Sequence, residues 1–111
     1  MIRLCAIDDI PETEAVGIIA PGGEVVLLRH DGEIRAFRNH CPHLGIELNF
    51  QPDVFLDSDG AYIQCANHGA LFQKDDGLCV FGPCQGQSLV AVPVQLVDGA
   101  VWMPADAPVA N

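Results

Sequence analysis

Nowhere in these 111 residues do apolar side chains run for the roughly 18 to 20 positions that a bilayer-spanning helix needs. The opening Met1-Ile2-Arg3-Leu4-Cys5-Ala6-Ile7-Asp8-Asp9 also lacks the uninterrupted apolar core of a secretory signal. A soluble, cytoplasmic domain without membrane association is therefore expected. Basic residues are scarce: five Lys and Arg stand against fifteen Asp and Glu, for a net charge of −10. Such a surface repels a phosphate backbone, and aromatic content of 6% leaves few rings for base stacking. Nucleic acid is excluded as a partner on both counts. Long helical periodicity, internal repeats and low-complexity segments are absent too. Asp53, Asp57, Asp59, Asp75 and Asp76 fall at expected turns as solvated acids, and no two have the setting of a catalytic carboxylate pair.

Half of the chain is hydrophobic, which is enough for one modest core and a single domain over residues 1–111. Eight prolines and eleven glycines favour short strands joined by tight turns. Arg3 to Ile7 reads as an edge strand ended before Pro11. Val16 to Ala20 and Glu24 to Arg29 flank the Pro21-Gly22-Gly23 turn, and Asp31-Gly32 leads into Glu33 to Arg38. Further hairpins are expected at Asp59-Gly60, joining Phe50–Asp57 to Ala61–Gln64, and at Asp76-Gly77, joining Ala70–Gln73 to Leu78–Phe81. A last one at Asp98-Gly99 joins Leu89–Val97 to Ala100–Met103. The tail from Pro104 to Asn111 is expected to fray. The outcome is an antiparallel all-β domain with a smaller lobe, about residues 39–85, inserted in it.

The chemistry lies in two short segments, Cys41-Pro42-His43-Leu44-Gly45 and Cys65-Ala66-Asn67-His68-Gly69. Each offers one thiol and one imidazole. A two-iron cluster in which one iron takes two sulfurs and the other two nitrogens needs such a set, with each loop giving one ligand to each iron. Tetrahedral zinc also accepts two cysteines and two histidines, although zinc fingers usually pair like with like. A metal-free site is the third reading.

The four residues resemble the Rieske [2Fe–2S] family, whose pattern is Cys-x-His followed by Cys-x-x-His. Leu44-Gly45, Gly69 and Gly82-Pro83 extend the resemblance, which covers about residues 35–103. It implies a Rieske-like antiparallel β-sandwich or barrel with a cluster-binding lobe, about residues 39–85. It implies that Cys41 and Cys65 bind the inner iron and His43 and His68 the outer one, with Leu44 wedged between the loops. Imidazole offsets less of the iron's positive charge than thiolate does, which raises the reduction potential above that of four-cysteine ferredoxins.

The gap between His43 and Cys65 is longer than in most soluble members, which implies an extended hairpin between the loops. High-potential members place hydroxyl donors where this chain has Ala70 and Phe72, and tie their loops by a disulfide where it has Ile46 and Asn67. Both departures point to the low-potential branch. Of the other cysteines, Cys5 reads as a small buried hydrophobe, while Cys79 and Cys84 bracket Val80-Phe81-Gly82-Pro83 and read as free thiols in a reducing compartment, with a disulfide or redox pair as the alternative. His30 and His40 read as surface residues.

The resemblance implies a carrier, not an enzyme, that passes single electrons from a flavin reductase to a terminal oxygenase. An oxygenase subunit would need a further domain with its own iron site, for which the chain has no room. The small subunit of a nitrite reductase and a structural zinc module that binds a partner protein are the alternatives. Because Ala70 and Phe72 carry no side-chain donor for a cluster sulfur, the midpoint potential should lie near the bottom of the roughly −150 to +300 mV Rieske range. Voltammetry reading above about +100 mV would contradict this.

Overall fold

The computed structural model describes every residue except His43, Leu44, Phe50, His68 and Asn111. Among the described residues the chain forms nine short strands and one 3₁₀ turn. β1 (Ile2–Ala6) runs into the 3₁₀ turn Ile7–Asp9, and β2 (Val16–Ile18), β3 (Val25–His30) and β4 (Glu33–Arg38) follow. Then come β5 (Ile63–Gln64), β6 (Leu71–Phe72), β7 (Cys79–Phe81), β8 (Gln95–Val97) and β9 (Ala100–Met103). They pair into three antiparallel sheets, ordered β1-β9-β8, β2-β3-β4 and β5-β6-β7. The architecture is the expected all-β one, and no helix among the described residues is long and apolar enough to cross a membrane.

β3 shows how the sheets are held together. Val25, Val26, Leu27 and Leu28 are all buried, so the strand lacks the polar alternation of a half-exposed sheet. Successive side chains point to opposite faces, and here each face meets its own core. Val25 and Leu27, with Ala36 of β4, pack against Leu4, Val101 and Met103 of the β1-β9-β8 sheet. Val26 and Leu28, with Phe37 of β4, pack against Cys41, Leu48, Cys65 and Phe72 on the other side. The middle sheet is the wall between two cores, and the second core carries both cysteine loops.

The turns divide into two kinds. Asp31-Gly32 and Asp98-Gly99 have positive φ at both residues (52° and 78°, 53° and 76°) and join strands in register as two-residue hairpins. Asp59-Gly60 and Asp76-Gly77 sit in wider turns, where Gly60 N–H donates to the Asp57 carbonyl and Gly77 N–H to that of Gln73, each at 2.9 Å. Of the extended hairpin expected between the cysteine loops, the Phe50–Asp57 strand is reduced among the described residues to a single bridge from Leu56 to Ile63, with Gln64 N–H donating to the Phe55 carbonyl at 2.8 Å.

Two expectations need correction. Leu89–Val97 is not one strand. Residues 90–92 line the free edge of β4, with Arg38 N–H donating to the Val90 carbonyl and Val92 N–H to that of Ala36. Pro93 then breaks the pairing, because it has no N–H to continue a ladder, and the chain crosses to the other sheet as β8. Nor does the tail fray over its described length. Arg38, only 2% exposed, donates from Nε to the Pro108 carbonyl at 2.6 Å and from Nη1 to those of Gly23 (2.8 Å) and Pro21 (3.2 Å). Ala107 is buried in the first core beside this clamp.

Replacing Arg38 by Met keeps the apolar stem and removes the donors. Urea unfolding should show a loss of about 1–3 kcal/mol, because three hydrogen bonds from a buried, charged donor to part-buried carbonyls are lost. A loss under about 0.5 kcal/mol would show that the tail contributes little to stability.

Candidate metal centre

The two cysteine loops are closed by the same pair of backbone hydrogen bonds. Cys41 N–H donates to the Ile46 carbonyl at 2.7 Å, and Gly45 N–H returns to the Cys41 carbonyl at 2.7 Å. In the second loop Cys65 N–H donates to the Ala70 carbonyl at 2.9 Å, and Gly69 N–H returns to that of Cys65 at 3.0 Å. The closing glycines have nearly equal φ, +71° at Gly45 and +70° at Gly69. That backbone costs an L-residue roughly 1–2 kcal/mol, so glycine is selected at both. The loops are also tied together, with Ala66 N–H donating to the Leu48 carbonyl at 2.7 Å.

This closure turns both cysteine side chains inward. Each is 1% exposed and belongs to the same apolar core. His43 and His68, the expected outer ligands, lie outside the described residues, as does Leu44. Among the described residues no group of three or more His, Cys, Asp or Glu side chains converges on a metal-sized point. Cys41 and Cys65 therefore do not complete a four-cysteine set with Cys79 and Cys84. Two buried cysteines in matching turns fit the sulfur half of a mixed sulfur–nitrogen ligand set.

A residue that the sequence reading passed over organises the first loop. Asn39 follows β4 and is buried. Its Oδ1 accepts from Leu48 N–H at 2.7 Å, while Nδ2 donates to Glu24 Oε1 at 2.5 Å and Asn49 Oδ1 at 2.8 Å. Leu48 is the residue whose carbonyl holds the second loop, so one amide side chain braces both. In the sequence it is an ordinary polar residue at a strand end; only its burial, where an amide needs a full set of partners, reveals the role.

The Gly82-Pro83 turn closes the far side. Gly82 has φ +104°, and a Cβ there would stand 2.9 Å from Ala70 Cα, so the turn lies directly on the end of the second loop. Ala70 and Phe72, at the positions expected to lack hydroxyl donors, are both buried in this core. Ile46 is exposed and Asn67 half-buried. The Cys79 and Cys84 sulfurs are 2.7 Å apart and unbonded. Burial, then the hydrogen bond with Cys79 and the nearby Cys79 and Cys41 sulfurs, pushes the Cys84 thiol up to about 12. Cys5 is buried in β1 as expected, and burial, followed by the Asp9 carboxylate, raises its thiol.

His40 differs from the surface position expected for it: it is half-buried, with its ring beside Gly45. His30 is likewise half-buried, its Nε2 3.4 Å from Asp31 Oδ2. The turn acids act as caps. Asp57 Oδ1 accepts from Ala61 N–H (2.8 Å) and Tyr62 N–H (3.1 Å), and Asp53 Oδ1 accepts from Gly17 N–H across the loop (2.8 Å).

Comparison with known proteins adds to this geometry. The profile of the Rieske [2Fe-2S] domain matches residues 1–98. The ferredoxin component of the naphthalene 1,2-dioxygenase/salicylate 5-hydroxylase systems of a Ralstonia species is 34% identical over 102 residues, covering 92% of each chain. Oxidoreductase NdmD of Pseudomonas putida is 25% identical over 103 residues, and there the match spans 86% of this chain but only 17% of that protein. Among solved structures, the ferredoxin of Sphingomonas yanoikuyae B1 superposes with a TM-score of 0.74 at 27% identity, over 92% of this chain and 95% of that one.

Asn39→Ala leaves the Leu48 N–H buried without its acceptor. Stability should fall by about 1–3 kcal/mol in urea, and iron bound per chain should fall with it. Unchanged iron content and an unchanged midpoint would show that the two loops hold their shape without this brace.

Proposed function

The chain belongs to the Rieske [2Fe-2S] domain family, and on that premise we propose that Cys41, Cys65, His43 and His68 hold its [2Fe–2S] cluster. In this reading the protein is an electron carrier, one domain over residues 1–111 whose lobe of about residues 39–85 presents the cluster. It takes single electrons from a flavin reductase and delivers them to a terminal oxygenase, as fits its likeness to a ferredoxin component of a dioxygenase system. It is a carrier and not a catalyst.

When bound, the cluster supplies reversible one-electron chemistry at a potential set by its ligands and by the hydrogen bonds to its sulfurs. The chain's own residues do the rest. The Cys41 and Cys65 turns hold two thiolates in a dry core, while Leu48, Ala70 and Phe72 keep water from the sulfur side. Ala70 and Phe72 bring no hydroxyl to those sulfurs, which favours a low potential. Ile46 on the first loop and Phe81 beside the covering turn are exposed apolar side chains, and they give a partner protein a surface that can be dried close to the site. The buried thiols of Cys5, Cys79 and Cys84 and an acidic surface suit the reducing cytoplasm, where we place the protein.

The observation that carries the reading is the identical closure of two loops around buried Cys41 and Cys65, each with a histidine two or three residues on. Iron and acid-labile sulfide should be found in equal amounts, with an EPR signal that appears on reduction. Cys41→Ser and Cys65→Ser should abolish both, and His43→Ala and His68→Ala should remove or alter the reversible chromophore. Zinc without sulfide would end the proposal. Failure of the reduced holoprotein to reduce any candidate oxygenase would leave the site standing and refute the carrier role.

A further inference from the structure

Two cysteines outside the proposed ligand set sit together beneath the covering turn. Cys79 lies in β7 and Cys84 just past Gly82-Pro83, both buried in the core that holds Cys41 and Cys65. Their sulfurs are 2.7 Å apart, so a movement of about 0.7 Å would bring them to the length of a disulfide. Backbone bonds already fix the two ends of the turn relative to each other: Cys79 N–H donates to the Gln87 carbonyl at 2.8 Å, and Gln87 N–H to that of Cys84 at 2.9 Å. The four residues between are the turn that rests on Ala70, the last residue of the second ligand loop. The backbone is accessible here. Phe81, Pro83, Gln85 and Gly86 are exposed, so a brief opening of this short turn presents both sulfurs to a small reagent.

We propose that Cys79 and Cys84 are a reversible dithiol–disulfide pair that staples the Gly82-Pro83 turn onto the second ligand loop. The oxidant is a low-molecular-weight disulfide. In the opened turn, where burial no longer favours the protonated thiol, one cysteine attacks it as thiolate, forming a mixed disulfide and releasing one small thiol. The second cysteine attacks that mixed disulfide, forming the internal S–S bond and releasing the other small thiol. The two cysteines lose two electrons and two protons, and both pairs end on the two released thiols. A dithiol reductant runs the sequence backwards. Closing so short a ring restricts the turn whether or not the neighbouring site is filled, and a restricted turn holds water and chelators away from the second loop.

The test uses the holoprotein under anaerobic conditions, equilibrated with glutathione mixtures stepped from fully reduced to fully oxidised. After acid quenching, denaturation and alkylation, mass analysis of the segment released by cleavage after Lys74 reports Cys79 and Cys84 alone. Both thiols should escape alkylation in the oxidised mixtures and recover with dithiothreitol, and in Cys84→Ser the remaining Cys79 should form no internal bridge. Bleaching of the cluster by a chelator should slow several-fold in the bridged wild type and stay at the reduced rate in Cys79→Ser and Cys84→Ser. Full alkylation at every step would overturn the proposal, and so would a bridge that leaves the bleaching rate unchanged. The thiol mapping does not depend on which metal the chain holds, so its failure is distinct from failure of the carrier reading.

Discussion

The end of β4 is the point to which the metal centre is referred. Arg38 and Asn39 are adjacent and both buried, and each commits its side chain to a different part of the molecule. Arg38 gathers the carbonyls of Pro21, Gly23 and Pro108 on one side, and Asn39 gathers Glu24, Leu48 and Asn49 on the other. Alternation along an extended chain makes this possible without bending it. A buried guanidinium and a buried amide each need every donor satisfied, so neither group can move without leaving a polar atom stranded. The first cysteine loop starts two residues later and inherits that rigidity.

From that anchor the site is built by repetition more than by unique contacts. Two turns with different sequences, Pro42 after the first cysteine and Ala66 after the second, reach the same closure because each has glycine four residues past its cysteine. The histidines fall at different offsets within that common frame, two residues on in one loop and three in the other. The shared backbone bonds place the cysteines alike, while the differing offsets let the loop tips differ.

Much of this was legible beforehand, and what was missed has physical reasons. The cysteine–histidine pairs and the Asp-Gly hairpins are local signals, written in adjacent residues. The docking of the tail was not, because the small and apolar residues after Pro104 look like a loose end until Arg38, some seventy positions earlier in the chain, is seen to reach Pro108. The break at Pro93 was visible in the sequence, but which sheet each half would join depended on the open edge of β4. Asn39 was overlooked because a polar residue at a strand end is ordinary. Only its burial makes it a brace. The continuous apolar run of β3 gives no sign, on its own, that two separate cores divide it.

The close approach of Gly82 to Ala70 couples two positions that are distant in sequence. The covering turn occupies one side of the residue 70 side chain, so a bulkier or hydroxyl-bearing group there has fewer orientations open to it while residue 82 stays where it is. A larger group at residue 70 would therefore displace the turn as well, so that the two positions behave as one mechanical unit.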